Sequence, residues 1–231
     1  MKTLTFFLAA ALATFAIGCS SEDGGTNPSV TPITETDLYP FVVGRTITYS
    51  EYMLDTTTSA PIPSTAYNFT TYVQDTVTVL GKKAFALIDS VYNGPEGAVI
   101  IEPWFAAVEN GDLLLEFNDA WATVFKKSAG VNATYFVRTY DDMSLGFAIP
   151  VTVNGTIYPK EQVVTPAGTY EAYKLRLEGS VSFGTFQVKI PVYSYFAPGI
   201  GLIKQTSPVF TNPLTGEKAE GEEYVMTGKN F

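Results

Sequence analysis

The sequence predicts an all-β domain, a strongly curved antiparallel meander or incomplete barrel of about ten to twelve strands. Three observations point there. Apolar and polar residues alternate through most of the chain from Asp37 onward, as half-buried strands require. Turn dipeptides rich in Gly, Asn and Pro punctuate that alternation at short intervals. Tyr (14) and Phe (16) are abundant, whereas long periodic blocks of helix formers are missing after the first 18 residues. A sheet of that many strands must curl, close or split, so a two-layer sandwich is the second arrangement.

The elements follow in order. Val77 and Val79 alternate with Thr76 and Thr78, then Gly81-Lys82 turns the chain into a strand carrying Phe85, Leu87 and Asp89. Asn110-Gly111 is a two-residue hairpin signal ahead of Leu113 to Phe117, and Asn154-Gly155 repeats it between Val151–Val153 and Thr156–Tyr158. Lys174 to Glu178 places two leucines on one face and three charges on the other. Phe186, Val188, Ile190 and Val192 share the apolar face of the next run. One segment departs from strand grammar. Asn118 to Gly130 has a capping residue, Trp121, Val124 and Phe125 at helical spacing and a glycine stop, which predicts one short helix.

Residues 1–18 read as an export signal: Lys2 is the positive start, and Leu4 to Ile17 is an apolar run too short for a permanent span of about 20 residues. The chain then divides into a flexible Ser/Thr/Gly/Asn/Pro tether, 19–36, and a single β domain, 37–231. Ala16-Ile17-Gly18-Cys19 resembles the lipobox of bacterial lipoproteins, with Ala where Leu is usual. The resemblance implies that Cys19 becomes the acylated N-terminus and that acyl chains of the palmitate kind anchor the domain. Each buried methylene contributes about 0.8 kcal/mol, so several chains hold a protein on a membrane. Ser20 then favours the outer membrane, and Ser21-Glu22-Asp23 resembles an acidic cell-surface signal; the domain faces either the periplasm or the cell surface.

Composition also narrows the chemistry. A net charge of −9 leaves no basic stripe for nucleic acid. With no histidine and one cysteine, Ser-His-Asp catalysis, imidazole zinc sites, thiolate clusters and intrachain disulfides are excluded. No cofactor or metal is expected. Asp141-Asp142 fall in an apparent loop, and a strand would aim the adjacent Glu222 and Glu223 at opposite faces, so no recognisable catalytic pair of carboxylates is present.

Two C-terminal stretches are more specific than the rest: Thr165-Pro166-Ala167-Gly168-Thr169-Tyr170 with Tyr173-Lys174, and Tyr195-Phe196-Ala197-Pro198-Gly199-Ile200-Gly201-Leu202-Ile203-Lys204. They resemble the TapB-like group of exported bacterial β proteins, whose usual Trp is Tyr195 here. That likeness implies export and a β fold, not an activity. Pro166 and Gly168 are suited to close a turn; Pro198, Gly199 and Gly201 let the chain kink beside the buried Tyr195 and Phe196.

The leading functional expectation is a non-enzymatic outer-membrane lipoprotein used for binding or envelope assembly. The alternative is a carrier of a hydrophobic ligand inside the curved sheet, with Trp104, Phe105, Trp121 and Phe125 at the cavity mouth. A carboxylate-dependent hydrolase is third.

Overall fold

The computed structural model describes residues 29–35, 37–92, 101–142, 148–183, 186–212 and 216–231. Cys19 and the segment read as an export signal lie outside them. In chain order the strands are β1 (Thr46–Leu54), β2 (Tyr67–Val79), β3 (Lys82–Tyr92), β4 (Ile101–Glu109), β5 (Asp112–Phe117), β6 (Ala120–Phe125), β7 (Thr134–Asp142), β8 (Ile149–Thr165), β9 (Gly168–Phe183), β10 (Phe186–Ala197), β11 (Gly201–Ser207), β12 (Phe210–Thr211), β13 (Lys218–Ala219) and β14 (Gly221–Lys229). Twelve of them form one antiparallel sheet in the order β6-β5-β4-β3-β2-β1-β14-β11-β10-β9-β8-β7, with β12–β13 a separate small hairpin. The sheet curls into a nearly closed barrel.

Closure happens where the first and last strands of the large sheet in chain order meet, and the opening falls between two strands from the middle of that order. β1 pairs with β14, Ile47 lying opposite Lys229, whereas the consecutive strands β6 and β7 share no ladder. Two reasons for the open seam are visible. The link after β6 makes one 3-10 turn, Lys127–Ala129, and Val131 then spends its backbone groups on a reciprocal bridge with Thr31. Asn132 N–H donates to Ile157 O instead of to β6.

The hairpins are tight where local chemistry permits positive φ. Leu80-Gly81 (47° and 76°), Asn110-Gly111 (54° and 85°) and Asn118-Asp119 (49° and 56°) each put two such residues at the tip, matching the right-handed strand twist. The predicted Asn154-Gly155 turn is absent. Both residues lie within the 17-residue strand β8, and Gly155 serves another purpose: a Cβ there would stand 2.5 Å from the Tyr135 ring. The missing side chain is what lets Tyr135 lie on β8.

The predicted helix over Asn118–Gly130 reduces to the single 3-10 turn; its larger part is strand β6. The helical spacing arises from a bulge. Leu113 and Leu114 pair with Phe125 and Thr123, so Val124 is an extra residue, and both Val124 and Phe125 pack toward the main core.

The antiparallel path gives the barrel two distinct ends. The entry end carries the tips Leu80-Gly81, Asn110-Gly111, Pro166-Ala167 and Pro198–Ile200 and receives the N-terminal segment. The far end carries the Asn118-Asp119 tip and the β12–β13 hairpin. Residues 31–35, ahead of the expected domain start at Asp37, already belong to the packed unit, with Ile33 buried.

Candidate functional site

At the entry end the N-terminal segment fills the barrel. Leu38 and Tyr39 are buried, and the Tyr39 ring meets Phe125 of β6 (5.6 Å) and Phe196 of β10 (5.5 Å) edge-on, while Phe41 tilts against Phe85 of β3 (5.3 Å). Rings from widely separated strands thus converge on one segment, and edge-to-face contacts of this kind add to the burial of apolar area. The Tyr39 hydroxyl is buried there without a hydrogen-bond partner, and burial pushes its ionisation far up.

A polar clasp holds the same segment. The Glu35 carboxylate accepts from Lys160 Nζ (2.7 Å) and Tyr173 Oη (2.5 Å), and Lys127 Nζ donates to the Glu35 carbonyl (2.6 Å). Partial burial opposes the charged carboxyl, but the bonds from Lys160 and Tyr173 outweigh it and pull its pKa down to about 2. Conversely, burial and then the bond to Glu35 push the Tyr173 phenol up, so it stays a donor.

The structural motif residues form two turns at the entry end. Thr165 pairs with Gly168 (φ 140°) across the Pro166-Ala167 tip, and Ala167 N–H reaches Met226 O of β14. Pro198, Gly199 (φ 76°) and Gly201 (φ 99°) turn β10 into β11, and Gly199 N–H donates to Asp37 O. Tyr195 is half-buried, with the Lys174 ammonium near its ring, and Phe196 is buried on the other face. The turn after β10 and Phe196 thus hold the N-terminal segment, whereas the Pro166-Ala167 tip and Tyr195 pack in a second core cluster with Met226.

The seam is bridged by side chains. Tyr135 Oη donates to Val124 O (2.7 Å) and accepts from Lys126 N (3.2 Å), so one hydroxyl takes the place of a neighbouring strand. Lower down, Arg138 Nη1 donates to Phe117 O (2.8 Å), with its guanidinium over the Phe117 ring (4.7 Å).

Toward the far end the sheet brings together groups that are dispersed in the sequence. Asp89 on β3 accepts from Thr71 (2.6 Å) and from Trp104 Nε1 (3.1 Å). Glu51 of β1 stands in register with Tyr67 of β2 and Tyr224 of β14, and hydrogen-bonds Tyr67. Burial first, then Tyr49 and the charges of Asp89, Glu51 and Glu222, push the Tyr224 phenol far up; burial and Glu51 do the same to Tyr67. The phenols remain donors beside carboxylate acceptors and ring faces. Such a surface can recognise hydroxyl-rich or cationic groups. Among the described residues no group of three or more acids forms a metal-binding cluster. Glu222 and Glu223 face opposite ways, Glu223 pairing with Lys204 (2.9 Å).

The four rings read as a cavity mouth are split between both faces of the sheet. Phe125 is in the main core with Trp104 half-buried against it, while Phe105 and Trp121 pack over Ala84, Ala107 and Leu114 on the opposite face. A groove of about 280 Å³ lies between the N-terminal segment and the Lys127–Gly130 turn; it does not reach Trp104 or Trp121. Sequence reasoning missed Glu35, Tyr135 and the tyrosine–carboxylate group. For the last, one signal was available: Tyr49 and Glu51, and Glu222 and Tyr224, are spaced by two and so share a face.

These features describe a class, the near-closed β-barrel with an inserted N-terminal strap. A family model, DUF3108-like, matches residues 139–209, which include both motif stretches. A solved structure of a candidate lipoprotein from Parabacteroides distasonis ATCC 8503 shares the fold with a TM-score of 0.54 at 13% identity, covering 86% of this chain and 100% of that one. A candidate exported protein with YmcC-like fold from Bacteroides fragilis NCTC 9343 aligns with a TM-score of 0.49 at 14% identity, over 84% of this chain and 99% of that one. No curated protein matches the sequence.

Proposed function

We propose that this chain is an outer-membrane lipoprotein, anchored by acyl chains on Cys19, whose β domain is a non-catalytic module for binding or envelope assembly. The observation that carries the reading is the filled barrel. Phe125, Leu87, Ile157, Leu175, Ile203 and Met226 are fully buried, and the N-terminal strap occupies the entry end where an enclosed ligand would otherwise sit. Recognition then falls to the surface, and the tyrosine–carboxylate group toward the far end is the best-equipped place for it. The solved P. distasonis neighbour, itself a candidate lipoprotein, supports an envelope role. The TapB-like resemblance, with export as its shared feature, is part of the same proposal.

The test is direct. Wild-type chain expressed in a Gram-negative host incorporates a clickable fatty acid and fractionates with the outer membrane. The Cys19→Ala chain takes up no label and appears in the soluble fraction. Label retained by Cys19→Ala would overturn the anchor assignment. Native mass spectrometry of the protein from its own host then reports the partner; a co-purifying hydrophobic molecule would favour the carrier reading instead.

A further inference from the structure

We infer that the entry end of the barrel is a membrane-docking rim, so that the domain stands on the lipid surface with its far end pointing away. Scattered exposed apolar side chains are ordinary on any protein; their confinement here is not. Six of the eight large apolar residues most exposed among the described residues, Val30, Val42, Val43, Leu80, Val108 and Val164, cluster at that end. Leu80 is at the β2–β3 tip, Val108 adjoins the β4–β5 tip and Val164 the β8–β9 tip. The other three belong to the segment that enters the barrel there.

The length of the connection to the anchor identifies the occupant as a bilayer. The chain reaches the rim from the anchor side. Between Cys19 and Ser29 lie ten residue steps, which extend to at most about 35 Å. On the lipoprotein reading, on which this inference rests for the side facing the membrane, the entry end cannot stray far from the lipid.

The fringe also carries ammonium groups, Lys83 and Lys229, both exposed, and the Lys82–Glu109 pair (2.7 Å), interspersed with the exposed acids Asp37, Asp75, Glu161 and Glu171 at and just behind the rim. The docking therefore rests on the apolar fringe and the short tether, not on net charge; stems and rings of such a fringe enter the headgroup layer while charged groups stay at its surface.

The experiment uses the mature acylated chain in vesicles of phosphatidylethanolamine and phosphatidylglycerol. An environment-sensitive fluorophore is placed at Leu80→Cys or, separately, at Asp119→Cys, and lipids brominated in their acyl chains serve as quenchers. Docking predicts quenching at position 80 at least about two-fold stronger than at 119. In a Val42→Asp/Val164→Asp background the difference disappears while the fatty-acid label on Cys19 persists. Equal quenching at the two positions of the membrane-bound wild type would overturn the inference.

A second arm separates this from failure of the anchor. Residues 1–19 are replaced by a hexahistidine tag that holds the chain on a nickel-chelating lipid. The same contrast between positions 80 and 119 is expected, whether or not Cys19 is acylated. If the tethered rim stays unquenched, docking fails on its own. If the rim is quenched but wild-type Cys19 carries no label, only the anchor fails. A rim protected from solvent with no lipid quenching would assign it to a protein partner and also overturn the inference.

Discussion

The two ends of this barrel are built on different principles. At the entry end, aromatic rings from β3, β6 and β10 close on Tyr39 and Phe41, and a charged clasp fixes Glu35. Toward the far end, carboxylates and phenols satisfy one another around Asp89 and Tyr224. The first arrangement excludes water and stabilises the fold. The second leaves hydrogen-bonding groups partly at the surface, where they contribute less to stability and more to what can be recognised.

The largest test of that contrast is Phe125→Ala, which empties the centre of the entry-end core and is expected to cost about 3 to 5 kcal/mol in urea denaturation. An effect near that of a surface change would show that the strap, not the core, dominates. Gly155→Ala comes next. Its methyl group would displace the Tyr135 ring from β8 and with it the seam contact, at an expected cost of about 2 to 3 kcal/mol; hydrogen exchange should accelerate at Lys126, whose amide loses its acceptor.

Glu35→Gln is the third test, expected to cost about 1 to 2 kcal/mol at neutral pH. Its sign with pH follows from the depressed carboxyl. Folding holds that pKa at about 2 against an ordinary 4.5, so the stabilisation is complete above pH 4.5 and is lost as pH falls toward 2. Wild type and variant should therefore converge across that window; a constant gap down to pH 2 would exclude the clasp as its source. Tyr39→Phe is smaller and opposite in sign, since deleting an unpartnered buried hydroxyl should stabilise by about 1 kcal/mol. At the far end, Glu222→Gln should leave the denaturation midpoint within about 0.5 kcal/mol. A large loss there would erase the distinction between the ends.

The same dipeptide shows what the sequence could and could not reveal. Asn110-Gly111 and Asn154-Gly155 are locally equivalent turn signals between apolar runs, yet the first is a tip and the second lies inside β8. The difference is supplied by Tyr135, twenty residues upstream of Gly155, whose ring needs a position without a side chain. Strand alternation made the all-β class and the curved sheet legible, because period two depends only on which side is buried. The bulge at Val124 broke that period and imitated a helix. Pairing partners were beyond reach for a related reason: alternation identifies a face but not a neighbour, so Glu51, Tyr67, Asp89 and Tyr224 could not be assembled before the register was known. The motif turns at Pro166 and Pro198 were readable as turns, but not as contacts of β14 in the first case and of Asp37 in the second.

The ladder between β1 and β14 also bears on timing. Every other ladder of the large sheet joins strands that are consecutive, or nearly so, in the chain; this one joins Ile47 to Lys229. Contacts of such long sequence separation form late, because a large loop must close before they return any free energy. The two groups of strands can form their hairpins as they emerge, but they cannot share a ladder until the final strand is present. The two halves of the large sheet therefore stay apart, and still extensible, until the nine-residue strand β14 has been made.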